Sequence, residues 1–461
     1  MKYISTRGQA EPVDFVGACL AGLAPDGGLY VPESWPQITP AAPSESYVDV
    51  ATRVLSAFAG DALSEATLHG LCERAYASFA HHSVAPLVQD GSNSFVMELH
   101  HGPTLAFKDV AMQVIAQLYD HILAARGQRM SVVCATSGDT GGAAAAAFAG
   151  ADNVDLFILH PHERVSPVQR LFMTTTGASN VRNLAIEGDF DACQAMVKAM
   201  FADRGFATTV GLSGVNSINW ARIAAQSVYF ATAQAALGPE RPIRFVVPSG
   251  NMGDALAGYV AARCGMLAGF EAVCAVNENR TLAALFETGL MRRMDAVATP
   301  SPAMDISVPS NFERLLFEVS GRDANAVRST YERYKQAGEA QLPESIRGPL
   351  SCAGFSADSV TNQDTLTEMQ RYLDQTGTLI CPHTAVGTFK ARQMPASDAV
   401  TVVLSTAHAA KFPEIVSAAT GQDAPLPSRC DALAGRPEQF EIVPADLDLV
   451  KQIISGARLP A

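Results

Sequence analysis

Residues 98–109, E-L-H-H-G-P-T-L-A-F-K-D, decide how the rest of the chain is read. They set one lysine, Lys108, at the mouth of a helix behind a Gly-Pro turn. From there apolar residues recur at helical spacing, at Val110, Val114, Ile115, Leu118, Tyr119, Ile122 and Leu123. Arg126 and Gly127 close the helix, a cation in the last turn and a glycine just past it. A lysine at a helix N-terminus meets the partial positive charge of the aligned peptide dipoles, which disfavours an ammonium ion. Two readings follow. Lys108 is either a neutral lysine fit to act as a nucleophile or form a Schiff base, or a solvated first-turn residue, and position alone favours the second.

The segments downstream reverse that order. A β-branched run at residues 131–135 enters T-S-G-D-T-G-G (136–142) and then an alanine-rich helix. The small residues allow close backbone approach, and the free N–H groups of such a helix start form an anion site. Two more apolar runs, 155–160 and 181–187, complete a small α/β lobe read as residues 121–205. Past residue 208, Asn216, Ser217 and Asn219 stand at the entry to a helix, with Arg222 in its opening turns. Capping accounts for one or two polar residues there; the arginine beside them favours a phosphate site. A strand at 243–247 then enters P-S-G-N-M-G-D (248–254), a second phosphate cradle. The run 270–276 ends at Asn277-Glu278, which keeps a dinucleotide reading in view. The loop lacks G-x-G-x-x-G, however, and no Walker sequence occurs, so a monophosphate suits it better. Two further strand–loop–helix units are expected, 378–381 into P-H-T-A-V-G and 400–404 into S-T-A-H-A-A-K-F. An amphipathic helix is expected at 445–455.

Composition narrows the classes. With 461 residues, 48% hydrophobic and 17% charged, the chain is a core-rich protein of more than one lobe. Its 46 acidic and 33 basic residues, net charge -13, argue against a general nucleic-acid or membrane-surface binder. The nine cysteines are scattered without a C-x-x-C pair, which fits a reducing cytoplasm. Residues 259–276, the longest apolar region, are broken by Arg263, Gly265 and Glu271, so no membrane span is expected. Neither a zincin histidine spacing nor a G-x-S-x-G elbow occurs, and no metal site is expected. Strand–loop–helix units with small or hydroxylated residues at the strand ends imply a mostly parallel sheet with ligands at its carboxyl edge. One activated lysine beside phosphate-cradling loops suits a pyridoxal phosphate enzyme.

Nine ordered segments carry a more specific likeness: Y-I-S-T-R-G, A-P-D-G-G-L-Y-V-P-E, H-H-G-P-T-L-A-F-K-D, T-S-G-D-T-G, N-S-I-N-W-A-R, P-S-G-N-M-G-D, M-D-I-x-x-P-S-N-F-E-R, P-H-T-A-V-G and S-T-A-H-x-A-K-F. Over nearly its full length the chain resembles the threonine synthase family, within the fold-type II, tryptophan-synthase-like pyridoxal phosphate enzymes. Two positions depart from the family pattern: Cys381, where an acidic residue is often found, and Ala409, where proline is common.

The resemblance implies an α/β fold of two lobes with mostly parallel sheets flanked by helices, in the tryptophan synthase β-like architecture. It implies a mainly helical N-terminal segment (1–90), a large cofactor-binding domain (91–120 and 206–461) and a small domain (121–205). By the same resemblance Lys108 is the Schiff-base lysine and main general acid/base. Gly250, Asn251, Met252, Gly253 and Asp254 hold the cofactor phosphate; Asp139 lies near its phenolic oxygen, and Thr406 bonds its ring nitrogen. Ser137, Gly138, Asp139 and Thr140 receive the substrate carboxylate, while Asn216, Ser217, Arg222 and Asn251 bind the substrate's phosphate. The implied reaction takes O-phospho-L-homoserine and water to L-threonine and phosphate, in a cytoplasmic monomer or homodimer. Two alternatives stay open, a serine or threonine dehydratase and a related protein that binds these ligands without turnover.

Overall fold

The computed structural model describes residues 1–433 and 435–457. The lysine helix runs Lys108–Arg126, and Gly127, in the left-handed region at φ 58°, ends it by donating its N–H to the carbonyls of Ala124 and Leu123. All seven expected apolar positions are buried. So are the polar residues between them over the first half, from Lys108 to Ala116. This is therefore a core helix, buried nearly all round over its first half, rather than an amphipathic surface helix. It packs between helices Glu65–Tyr76, Asp139–Phe148 and Trp220–Leu237.

Two sheets carry the loops. The larger has six strands in the order Phe355–Ser359, Glu271–Val276, Ile243–Pro248, Val400–Ser405, Ser94–Glu98, Leu87–Gly91, all parallel except the final hairpin pair. The smaller has five parallel strands, Glu441–Pro444, Val181–Glu187, Val154–Pro161, Met130–Ala135 and Leu212–Ser213. Val154–Pro161 is buried along its whole length, as expected for a parallel strand covered on both faces. Strands Ser94–Glu98 and Val400–Ser405 pair so that Glu98 lies opposite Ser405. The pairing continues beyond both strands, with Leu99 N–H on Ser405 O (3.0 Å) and Phe107 N–H on Thr406 O (2.8 Å). One register thus brings the lysine loop and the S-T-A-H loop together.

Two expectations are corrected. Residues 378–381 form no strand; they join helices Asn362–Thr376 and Pro382–Gln393, and Ile380 fills a core with Met369 and Tyr372. Both flanks of Ile243–Pro248 are already taken, by Glu271–Val276 and Val400–Ser405, so that sheet has no place for another strand there. Cys381 instead caps the second helix, its Sγ accepting Thr384 N–H at 3.4 Å. The end of the chain, assigned by sequence to the larger lobe, crosses to the smaller sheet. Strand Glu441–Pro444 pairs there, and helix Leu447–Gly456 buries Val450 and Ile454 against Val443 and Met196.

Of the N-terminal helices, Phe15–Ala21 and Tyr47–Ala59 pack on helix Trp220–Leu237 and Glu65–Tyr76 packs on the lysine helix. Between this N-terminal segment and the main body, an aromatic cluster centres on Trp220. Its fully buried indole meets the rings of Tyr3, Trp35 and Phe58 at 5.5–6.1 Å. Trp220 is also the first residue of the helix that carries Arg222. Trp220→Ala should cost about 3–5 kcal/mol, seen as a lower urea midpoint, with earlier proteolytic release of residues 1–76.

Candidate active site

Lys108 opens its helix, and only 9% of its surface is exposed. The solvated reading is therefore wrong. Its Nζ lies 3.2 Å from Asp139 Oδ2. Asp139 opens helix Asp139–Phe148, and its other oxygen accepts Lys411 Nζ at 2.8 Å and Gln169 Nε2 at 2.9 Å. Lys411 is fully buried and also donates to the Thr104 carbonyl at 2.8 Å. Thr104 is held in turn by Asp109, which accepts its N–H at 2.8 Å and its hydroxyl at 2.6 Å. The glycine of H-G-P-T is required by this packing, since a Cβ at Gly102 would sit 2.4 Å from Asp109 Cβ. A closed circuit results, Lys108, Asp139, Lys411, Thr104, Asp109 and back along the chain to Lys108.

The circuit sets the charges. Burial pushes the Lys108 ammonium below its ordinary pKa; Asp139 opposes the shift, and Lys411 and Arg222 add to it by repulsion. Burial, more than the helix dipole invoked from sequence, is thus the leading cause. For Asp139 burial acts upward, but Lys108 and Lys411 outweigh it and hold the carboxylate well below its usual range. His383 is pushed down to about 3 by burial and is neutral, its Nε2 accepting Ala303 N–H at 3.2 Å.

Two helix starts lie open to anions. Helix Asp139–Phe148 has no cap from Gly138, which takes φ 140°, and Thr136 Oγ1 accepts only Gly138 N–H at 2.9 Å and Gly141 N–H at 3.0 Å; a Cβ on Gly138 would strike Gln169 at 2.5 Å. Ser137 and Thr140 flank this start, half-buried. Helix Gly253–Arg263 follows Met252 in the left-handed region at φ 59°, again without a side-chain cap. A Cβ on Gly250 would come within 2.8 Å of Ile306. Asn251 is braced by Ser310, whose hydroxyl donates to Oδ1 at 3.2 Å, and by Asn311 N–H on its carbonyl at 3.1 Å. Asn311 Nδ2 reaches on to the Ser217 carbonyl, also at 3.1 Å. Arg314 then ties Asn311 to the carbonyl of Ile218, with both contacts at 2.6 Å. The M-D-I-x-x-P-S-N-F-E-R segment is thus a clamp joining N-S-I-N-W-A-R to P-S-G-N-M-G-D.

Arg222 is 2% exposed, yet no carboxylate lies within ion-pair distance of it among the described residues. Its one hydrogen bond is a long one to Val215 O (3.5 Å), its Nε has no partner, and burial pushes its pKa down to about 10. Asn216 Oδ1 is likewise buried and unpartnered. Asp254 accepts the Tyr229 hydroxyl on Oδ1, while Oδ2 has no partner. Burial pushes Asp254 up to about 7, with Arg222 and Lys108 pulling the other way. Asp254 thus feels both Arg222 and Lys108. Thr406 stands against the lysine through the backbone of Phe107.

The sequence reading missed Lys411, Gln169, His383, Thr104 and Asp109. All but Gln169 lie in a quoted motif, but nothing in spacing says that they converge. Among the described residues no group of three or more His, Cys, Asp or Glu is placed to hold a metal ion. Asn277, the end of the strand considered for a ribose, is engaged by Thr299, Ser301 and Asp305.

Residues 2–76 match the family model described as threonine synthase N terminus, and residues 384–454 that described as threonine synthase, C-terminal. Residues 85–334 match the model described as pyridoxal-phosphate dependent enzyme. The threonine synthase of Pseudomonas aeruginosa is 44% identical, covering 99% of this chain and 98% of its own. That of Saccharomyces cerevisiae is 37% identical, covering 98% and 97%. Among solved structures, PLP-bound threonine synthase from Brucella melitensis aligns with a TM-score of 0.95 at 48% identity over 100% of both chains. Threonine synthase from Escherichia coli aligns with a TM-score of 0.83 at 32% identity, over 99% of this chain and 100% of that one.

The burial of Asp254 has a consequence for stability. Between roughly pH 4, where an unfolded aspartate ionises, and the folded value near 7, the folded protein keeps a proton that the unfolded chain has lost. That contribution is complete below the window and is lost as pH rises through it. Urea midpoints at pH 5 and pH 8 should therefore fall more for the wild type than for Asp254→Asn.

Proposed function

The chain belongs to the threonine synthase family, and from that premise we propose the residue roles by which it converts O-phospho-L-homoserine and water to L-threonine and phosphate. The residues fit pyridoxal phosphate. A buried lysine with a weakened hold on its proton faces the cleft, and an uncapped helix start with a tight glycine approach at Gly250 offers an anion cradle. Gly250, Asn251, Met252, Gly253 and Asp254 would hold the phosphate, Lys108 the aldehyde carbon, Thr406 the ring nitrogen and Asp139 the phenolic side. When bound, the cofactor supplies the electron sink that acidifies the substrate's Cα–H.

With the cofactor in place, Lys108 Nζ would take the Cα proton and then serve at Cβ. It does so readily because burial has already lowered its affinity for a proton. Asp139 keeps that nitrogen aimed. Ser137, Gly138, Asp139 and Thr140 receive the substrate carboxylate at the start of helix Asp139–Phe148, a turn shaped by the Thr136 hydroxyl. Arg222, with Asn216, Ser217 and Asn251, holds the substrate phosphate and steadies its charge as the Cγ–O bond breaks. The buried Arg222 guanidinium with an unpartnered Nε is the observation that carries this reading, because a dehydratase has no second phosphate to place there.

In the same reading the division into an N-terminal segment, a large and a small lobe is functional, with the cleft between Lys108 and Asp139. The protein works in the cytoplasm as a monomer or homodimer. Its nine unpaired cysteines, eight of them buried, support a reducing compartment. No helix among the described residues is long and apolar enough to cross a membrane.

Phosphate release from O-phospho-L-homoserine, with threonine and serine as competing substrates, tests the activity. Turnover of the hydroxyamino acids alone would make the protein a dehydratase. Lys108→Ala should lose both the lysine-linked visible chromophore and phosphate release. Arg222→Ala should lower kcat/KM for phosphohomoserine roughly 100-fold, the loss of about 3 kcal/mol of charged hydrogen bonding, while the chromophore stays.

A further inference from the structure

Lys411 has no role in the reading above, although it is the most deeply buried cation of the cleft. It ends the short turn Ala409–Lys411, which His408 caps by accepting Ala410 N–H on Nδ1 at 3.1 Å. Its Nζ bridges Asp139 of the smaller sheet's first helix and Thr104 of the lysine loop. Its carbonyl accepts the Ser166 hydroxyl at 3.1 Å, from the cap of helix Pro167–Thr174, and its ammonium stands 5.2 Å from the Phe172 ring. One residue therefore touches both lobes and the loop that leads to Lys108.

Asp139 faces two lysines, and only Lys411 is also tied to a second partner, the Thr104 carbonyl. Lys108 must give up and regain a proton as it works, whereas a buried carboxylate needs a cation at every stage. We propose that Lys411 is a positioning residue for the reaction: a fixed cation that keeps Asp139 ionised and aimed at Lys108 while Lys108 changes charge. The division of labour is physical. Asp139 Oδ1 belongs to Lys411 and Gln169, and Oδ2 is left for Lys108. Lys411 also repels the Lys108 ammonium, as Arg222 does, while Asp139 attracts it. Asp109, His383, Asp254, Cys381 and Cys430 are the other ionisable groups that face the circuit. The inference rests on Lys108 being the working base, but it concerns a property that the protein has before any substrate arrives.

Competitive acylation of Lys108 in the cofactor-free full-length protein, followed by mass spectrometry across pH, reads that property directly. Lys411→Met should raise the apparent pKa of Lys108 by about one unit or more, so that labelling at a fixed lower pH drops roughly tenfold. Two causes act together: the repulsion is gone and Asp139 turns wholly to Lys108. Lys411→Arg should restore the wild-type titration to within about half a unit. In the holoenzyme, Lys411→Met should lower kcat with little change in KM, and Lys411→Arg should recover part of it. If Lys411→Met fails to fold, Asp139→Asn and the double variant Asp139→Asn/Lys411→Met decide the matter. Asp139→Asn should lower the Lys108 pKa, and the double variant should return it upward. A Lys108 titration that Lys411→Met leaves unchanged or lowers, or identical titrations in the last two variants, overturns the proposal. A wild-type protein that releases no phosphate from phosphohomoserine would instead overturn the functional reading and leave these titrations as they stand.

Discussion

Asp139 is a carboxylate removed from water and held between two lysines that are also removed from water, and the shape of the cleft follows from keeping those three charges together. Isolated burial of any one of them is costly enough that the group would give up its charge. Shared burial is tolerable only if the geometry is tight, and here each charged atom is placed by something rigid. Lys108 and Asp139 each open a helix, and Lys411 ends a capped turn. Asp109, next to Lys108 in the chain, holds the Thr104 loop whose carbonyl anchors Lys411. Small residues are needed where these pieces meet, which is why Gly102 and Gly138 leave no room for a side chain.

The parallel sheets are what deliver these helix starts to one place. Strand carboxyl ends collect on one edge, and each following loop turns into a helix whose N-terminus faces the same cleft. Pairing Ser405 with Glu98 fixes where the S-T-A-H loop meets the lysine loop; a slip of one residue would turn both loops' side chains away from each other. The smaller sheet sets Asp139 in the same way at the end of Met130–Ala135. Return of the chain end to that sheet, through Glu441–Pro444, closes it on its outer side.

Much of this was readable from residue patterns because buried parallel strands and glycine loops have strong local signatures. The runs at 131–135, 181–187, 243–247 and 400–404 are all strands in the structure, and the loops after the first, third and fourth border the cleft. Strand Phe355–Ser359 escaped notice because F-S-A-D-S offers only two apolar residues, enough for an edge and no more. Residues 378–381 misled for the opposite reason: a short apolar run before Pro382 looks like a strand, and only the occupied neighbours of Ile243–Pro248 exclude it. Lys411 was invisible as a site residue although its motif was quoted, since the distance that matters is to Asp139, 272 positions away along the chain but 2.8 Å in space.

The charges around the cleft do not balance within the protein, and the imbalance is itself informative. Lys108, Lys411 and Arg222 are buried basic groups, while among the described residues around the cleft Asp139 is the carboxylate held well below its usual range. Burial drives Asp109 and Asp254 toward the protonated form. Excess positive charge in a low-dielectric cleft destabilises the empty protein, and it does so in proportion to how well water is excluded. Ligands that bring phosphate groups remove that cost, so their binding free energy includes relief of a strain already present. Such ligands stabilise the fold by mass action as they bind. Arg222 cannot be satisfied by a neighbouring side chain without giving up this effect. In the proposed reading, leaving its Nε without a partner is the cost of a site that waits for an anion, and the Lys411–Asp139 pair lets the remaining charge be used for proton transfer.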